Sequence, residues 1–212
     1  MYIQDHMLKK EKLTSLTTQD SLKKALTVLR EGDFLSLPVF ENDIFKGLLF
    51  KETIYRKYFE GDYNSKEAFL NDTIVNDVIK KEYDSINMSE PIENAAYILK
   101  ELKTPFLVVK NSEGKFVGIV THKAIFDAYS NVLGLNAGHR IVLNMFDLPG
   151  QLAKLTAIIK ENSGNITNLA LEDAKVMNVQ RVIIKVRSNN ITKLIEAIKL
   201  AGFKVASFTP EK

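Results

Sequence analysis

Residues 117–126 read VGIVTHKAIF, an apolar run that ends in Thr121, His122 and Lys123 just before a helix-forming stretch. A hydroxyl followed by two side chains able to carry positive charge, at a strand-to-helix junction, is chemistry suited to a phosphate or a ribose. The amides that open a helix, here at Lys123 and Ala124, lack intrahelical partners and lie at the positive end of its dipole, which favours an anion. The same residues also read as plain structure, with Thr121 capping the helix that follows. Other reactive constellations are missing from the sequence. His6, His122 and His139 share no metal-ligand spacing, and no HExxH occurs. Asp147, Glu172 and Asp173 form at most a loose acidic group, the last two expected in a hairpin turn. No Ser-His-Asp set or phosphate-binding Gly-rich loop is present, because the two glycines of LGLNAGH follow a helix and not a strand. Without a catalytic constellation the expectation is that the protein is not an enzyme.

The elements that must carry these residues belong to a chain of 212 residues with 45% apolar and 26% charged side chains, room for one large domain or two to three small ones. The 29 basic residues are interspersed with 26 acidic ones for a net charge of +3, and the lysine pairs in KKEK, SLKKAL and IKKEY read as solvated faces. Nucleic-acid binding, which needs a concentrated basic face, is not expected. There are no cysteines, so disulfides, thiolate metal sites and cysteine nucleophiles are excluded together. No apolar run reaches the ~20 residues that span a bilayer, and MYIQDHMLKKEKL lacks the order of a signal peptide. A cytoplasmic protein without membrane contact is the expectation. Met7, Met88, Met145 and Met177 are expected to be mostly core filler.

The first 130 or so residues repeat one unit. IQDHMLKKEKLTSL (3–16) returns as IVNDVIKKEYDSI (74–86), with KKE matching literally. A helix follows in each copy, with Leu22, Ala25, Leu26 and Leu29 on one face in the first and Ile92, Ala95, Ala96 and Leu99 in the second. Thr18 or Asp20 is the expected cap of the first helix, and Ser89, with Pro91 in the first turn, of the second. Hairpins turn at Glu41-Asn42-Asp43 and at Asn111-Ser112-Glu113-Gly114, and each copy ends in a second helix. The unit is therefore strand, helix, strand, strand, helix, and EGDYNSKEAFLND (60–72) joins the copies. VLGLNAGH (132–139) reads as a linker. Beyond it the pattern is βαββαβ, the ferredoxin-like split βαβ order. RIVLNMF forms a strand, DLPG a turn and QLAKLTAIIKEN a helix with Leu152, Leu155, Ile158 and Ile159 on one face and Gly164 as its C-cap. Next come a ragged strand NITNLALED and VQRVIIKVR, with Val182, Ile184 and Val186 on one side. NITKLIEAIKLAG forms a helix ending at Gly202, and FKVASF is the last strand. The fold class is α+β, with domains over 1–70 (including the linker), 71–132 and 139–212.

The duplicated unit resembles a CBS-domain pair, or Bateman module, on its element order, on SLPVFEN and PFLVVKN, and on the endings KGLLFKETI and VGIVTHKAI. The C-terminal unit resembles an ACT domain on DLPGQLAKL and SGNITNL. Together they are similar to the acetoin-utilisation type of small CBS–CBS–ACT protein. The CBS resemblance implies clefts that hold adenosine compounds, AMP, ATP or S-adenosylmethionine. Their loop runs glycine, two apolar residues, Thr or Ser, two variable residues and Asp, with the glycine letting backbone approach the ligand and the carboxylate taking the ribose hydroxyls. In the second copy Ser85, Ile86, Gly118, Ile119, Thr121, His122 and Lys123 would form the cleft, but Ala124 stands where the carboxylate belongs. In the first, Gly47 matches, Phe50 replaces the hydroxyl and is expected to fill the pocket, and Thr53 replaces the carboxylate. A buried ribose hydroxyl left unpaired costs ~1–3 kcal/mol. The ACT resemblance implies an amino-acid effector at a dimer interface, beside Asp147, Leu148, Pro149, Gly150, Gln151 and Leu152. The helix amides would take its carboxylate, Asp147 its ammonium, and Asn165 with Ile166 would face them. Asp147 as a helix cap and Asn165 as a turn former are the structural alternatives.

Two functions follow: a ligand sensor that acts on an unidentified regulated protein by favouring one conformation, or a dimerisation scaffold with vestigial pockets. A homodimer is expected under both. The sheet of the C-terminal unit leaves edges to cover, and the first unit is expected to expose Ile54, Tyr55, Tyr58, Ile125 and Tyr129 on its helix faces.

Overall fold

The repeat is laid out as two interlocked α/β halves in a computed structural model that describes residues 1–102, 104–134 and 138–211. Both halves belong to one unit, Met1–Ala128, and a second unit comprises Tyr129–Lys212. The middle of the expected linker, residues 135–137, lies outside the described residues.

In the first half a short strand β1 (Leu8–Lys9) precedes β2 (Leu16–Thr17), α1 (Leu22–Glu31), β3 (Ser36–Glu41), β4 (Ile44–Phe50), α2 (Lys51–Glu60) and α3 (Lys66–Asp72). The second half has β5 (Ser85–Asn87), α4 (Ile92–Glu101), β6 (Phe106–Lys110), β7 (Phe116–Thr121) and α5 (His122–Val132). The connector between the copies thus contains a helix of its own, capped by Ser65, whose hydroxyl accepts from the Ala68 amide. Leu22, Ala25 and Leu29 of α1 bury against Leu37, Val39 and Leu49 of β3 and β4, with Ile54, Phe69 and Val75 completing that core. Asn42 and Asp43 carry φ of +47° and +66°, as a two-residue hairpin of matching twist requires.

The helix caps differ from expectation. Ser21, not Thr18 or Asp20, accepts from the Lys24 amide and caps α1. Asp20 instead accepts from the Thr17 amide and the Lys24 ammonium. Burial works to raise its pKa, but the hydrogen bonds from Lys24 and Thr17 outweigh it and hold the carboxyl below its ordinary value. Ser89 caps nothing: its hydroxyl donates to Asn87 Oδ1, and Pro91 occupies the N-cap of α4 without a side-chain bond. Ile54 and Ile125 are buried, Tyr58 packs on the first core and Tyr129 is half-buried, so of the five residues expected to be exposed Tyr55 alone is.

The two halves exchange their leading segments. Ile3 and Gln4 donate to the carbonyls of Glu90 and Met88, and Val75 and Asn76 donate in the same way to Asp20 and Thr18. β1 pairs with β7 of the second half, Leu8 opposite Ile119, while Lys80 bridges to Leu48 of β4. Leu8 and Lys80 thus occupy equivalent places, one residue out of step with the literal KKE match. Backbone pairing, indifferent to side-chain identity, sets that register. The sheets run β1-β7-β6-β5 and β2-β3-β4. Leu48, Phe106, Val108 and Ile119 join them in a shared core, with Phe45 and Phe116 stacked at 4.5 Å.

The second unit places β8 (His139–Phe146), α6 (Gln151–Glu161), β9 (Asn165–Val176), β10 (Val179–Arg187), α7 (Ile191–Leu200) and β11 (Lys204–Thr209) in an antiparallel sheet of order β11-β8-β10-β9. Ile141, Leu143, Val182, Ile184 and Val186 pack against Leu155 and Ile159 of α6 and Leu194 and Ile198 of α7. Ser163, with φ +55°, takes the left-handed position after α6 that Gly164 was expected to fill. Gly164 is small because a Cβ there would lie 2.7 Å from Ile159. Glu172 and Asp173 are not in a turn. β9 runs on to Val176, Glu172 pairs with Arg181, and the chain reverses at Met177-Asn178, leaving Met177 exposed and no core filler. Lys185, on the side away from the helices, is nearly buried, and its ammonium donates to the Gly134 carbonyl.

Candidate ligand cleft

Thr121 ends β7 and its Oγ1 accepts the Ala124 amide at 3.1 Å, so it caps α5. Capping uses one lone pair and leaves the hydroxyl proton free to donate. His122 turns its Nδ1 to the Pro105 carbonyl at 3.2 Å, and Lys123 is exposed. Gly118 has a different task from the one expected of it. A Cβ there would lie 2.3 Å from the Leu8 carbonyl oxygen, and one at Gly47 would lie 2.4 Å from that of Lys80. Both glycines admit the leading segment of the opposite half, where a side chain would collide with backbone.

Beside Thr121 lies a cavity of about 260 Å³ whose walls come from both halves and from the segment after β1. Ile119, Phe106 and Leu13 give it apolar sides, and Lys12, Asp33 and Thr121 give it polar ones. Asp33 is exposed, follows Gly32 at the end of α1 and is held at φ +49°. It lines the same cavity as Thr121, whereas Ala124 does not. Ser36 also lines it, and its hydroxyl is buried without a partner among the described residues.

Of the residues expected in this cleft, Ile119 and Thr121 line the cavity. Ser85 and Ile86 do not: they lie in β5, with Ser85 opposite Val108 and β6 between them and β7. Gly118, His122 and Lys123 stand beside the wall without forming it. Asp33 was missed because it belongs to the other copy, nearly ninety positions away. The one signal in the sequence was a charged residue between α1 and the strand SLPVF. In the first copy Phe50, half-buried, packs against the core of Leu48, Phe106, Val108 and Ile119.

In the second unit the Asp147 amide donates to the Asn178 carbonyl at 2.9 Å, and no side chain caps α6. Gly150 is its N-cap at φ +87°, with open space where a Cβ would stand. Leu148 is exposed, and Leu152 packs half-buried on the core. Asn165 and Ile166 are not beside this turn. They open β9 opposite Arg187 and Val186, whereas Asp147 follows Phe146, which pairs with Val179 at the other end of the sheet. Seven strand residues separate the two ends, on the order of 25 Å.

The CBS domain family matches residues 75–131. Comparison with curated proteins gives no match. Among solved structures, the Listeria monocytogenes CbpB protein in complex with c-di-AMP is 25% identical, with 63% of this chain and 98% of that one covered at a TM-score of 0.54. A CBS domain-containing protein of unknown function from Bacillus anthracis is 23% identical over 62% of this chain and 94% of its own, also at 0.54. CBSX2 in complex with AMP is 22% identical over 62% and 97%, at 0.52. A CBS domain is present, and the structural neighbours are CBS-pair proteins.

Proposed function

We propose that the chain is a non-catalytic regulatory sensor that binds an adenosine nucleotide in the cavity beside Thr121. The observation that carries this reading is the meeting of Asp33 and Thr121 in one cavity. The carboxylate accepts from the ribose hydroxyls in place of the residue lost at Ala124, and Thr121 and Lys12 meet the phosphate. Complexes of similar CBS pairs with AMP and with c-di-AMP support the choice of ligand. The volume of about 260 Å³ suits a mononucleotide part-sunk in the cleft better than a dinucleotide enclosed by it. Filling by Phe50 leaves one working cleft per chain, and binding there acts on a regulated partner by favouring one arrangement of the two halves.

The second unit is read as an ACT-like module that joins two copies. β9 is a sheet edge, and antiparallel pairing with the β9 of a second copy would carry that copy's Asn165 and Ile166 towards the Asp147–Leu152 turn. An amino-acid effector would then bind only in the homodimer. The scaffold reading gains support from Thr121 serving as a cap and Phe50 as core.

Calorimetric titration with AMP, ATP, c-di-AMP and S-adenosylmethionine tests the nucleotide reading. AMP is expected to bind, and Asp33→Asn to weaken it at least about tenfold, as loss of a charged hydrogen bond worth ~1.5–3 kcal/mol requires. Ala124→Asp is expected to tighten it. No heat from any of the four compounds would leave the scaffold as the surviving account.

A further inference from the structure

Ser36 opens β3 and is 6% exposed, yet its hydroxyl has no partner among the described residues. Burying a hydroxyl without a hydrogen bond is unfavourable, and alanine would avoid the cost. The side chain does not point into the helix-covered core. Leu37 and Val39 belong to the core of α1. Alternation therefore sends Ser36 and Pro38 to the other face of the sheet. There Ser36 stands directly opposite Phe50, and Pro38 opposite Leu48.

The second half carries the same arrangement with its two side chains exchanged. Gly47 stands opposite Val39 and Gly118 opposite Val109, so these positions are equivalent in the two copies. Counting back from Val109 as from Val39 to Ser36 reaches Phe106, and counting on from Gly118 as from Gly47 to Phe50 reaches Thr121. Phe106 and Thr121 also stand opposite one another. Ser36–Phe50 in one half thus answers Phe106–Thr121 in the other, hydroxyl for ring and ring for hydroxyl. The hydroxyl that Phe50 removes from the end of β4 reappears across the ladder on β3. Ser36, Phe106 and Thr121 all line the cavity of about 260 Å³. Of its buried wall residues, Leu37, Pro38, Phe106 and Ile119 offer carbon, and Ser36 is the polar side chain among them. Lys12 and Asp33 are exposed.

We propose that Ser36 is a specificity-determining residue of this cavity, its hydroxyl donating to an acceptor that the ligand buries against Pro38, Phe106 and Ile119. Resting on the nucleotide reading, this contact decides which compounds the cavity accepts. The acceptor is a ring nitrogen of the base or an oxygen of the phosphate, and the hydroxyl serves either, because its proton is uncommitted. A compound that brings carbon to this wall leaves the hydroxyl unpaired and binds less tightly.

Calorimetric titration of AMP and adenosine into the wild type and Ser36→Ala, with thermal unfolding of both free proteins, provides the test. Ser36→Ala is expected to weaken AMP at least about fivefold, through the acceptor left buried without a donor. The thermal midpoint of the free variant is expected to be no lower than that of the wild type, because the hydroxyl has no partner to lose among the described residues. An equal loss for adenosine places the acceptor on the base, and a loss confined to AMP places it on the phosphate. Unchanged AMP affinity in Ser36→Ala, or a lowered midpoint that shows the hydroxyl serving the fold, overturns the proposal and leaves the nucleotide reading standing. No heat from AMP in the wild type overturns the nucleotide reading and this contact with it.

Discussion

Gly118 and Gly47 each face a backbone oxygen that belongs to the opposite half, at 2.3 Å and 2.4 Å from where a Cβ would stand. Backbone cannot swing aside as a side-chain tip can, so Gly118→Ala must push β1 off β7. A loss of at least ~2 kcal/mol is expected in urea unfolding. Gly114→Ala is the control, because its φ of +75° is strained for alanine but nothing lies within 4 Å of the added carbon. That change should cost about 1–2 kcal/mol, the conformational strain alone. Gly118 is not at positive φ, so conformation does not demand glycine there, and a loss no greater than that of Gly114→Ala would show that the exchanged segment yields to the added carbon. The loop glycines could be read from the sequence as points of close approach, but what approaches them could not. A ligand and a remote strand make the same demand on one residue.

β9 is a long edge strand with little cover. Hydrogen-bonded to β10 on one side only, it exposes Leu169 and Leu171 at 37% and 48% beside a free row of backbone donors and acceptors. Long apolar edges of this kind pair with another chain unless charge blocks them. Under the proposed homodimer, Leu171→Lys is expected to shift the sedimenting species from dimer to monomer at micromolar concentration and leave the circular dichroism spectrum unchanged. A wild-type monomer, or a dimer unaffected by the lysine, would place the interface elsewhere. The helices and hairpins of the chain were legible because each announces itself within a dozen residues, through apolar period and turn chemistry. β9 was legible only in part. Its polar start and the acidic pair Glu172-Asp173 imitate a turn, and the pairing of Glu172 with Arg181 that keeps it extended lies in the next strand.

At the scale of the molecule, the two halves of the first unit are not separable domains. Residues 1–4 hydrogen-bond to the second half and residues 73–76 to the first, and β1 and Lys80 extend the sheets across the division. A fragment of residues 73–132 alone therefore lacks the partner of the β7 edge and the donors to Met88 and Glu90. It is expected to show no cooperative thermal transition, and addition of a peptide spanning residues 1–16 to restore part of one. Cooperative unfolding of the fragment by itself would show that the exchange adds little to either half. The pair then acts as one body, as a sensor must if a ligand held by Asp33 from one half and Thr121 from the other is to alter both.

By itself the sequence determined what depends on neighbours in the chain. The duplication, the helix faces of Leu22–Leu29 and Ile92–Leu99, the hairpin turns and the βαββαβ order of the last seventy residues all follow from local periodicity and backbone preference. Only the tertiary structure decided which hydroxyl caps which helix, that Asp33 stands in the cavity of Thr121, and that Asn165 lies at the far end of the sheet from Asp147. Those facts are distances between segments remote in the chain. Such distances are fixed by the pairing of backbone groups that every residue carries alike, so no pattern of side chains records them.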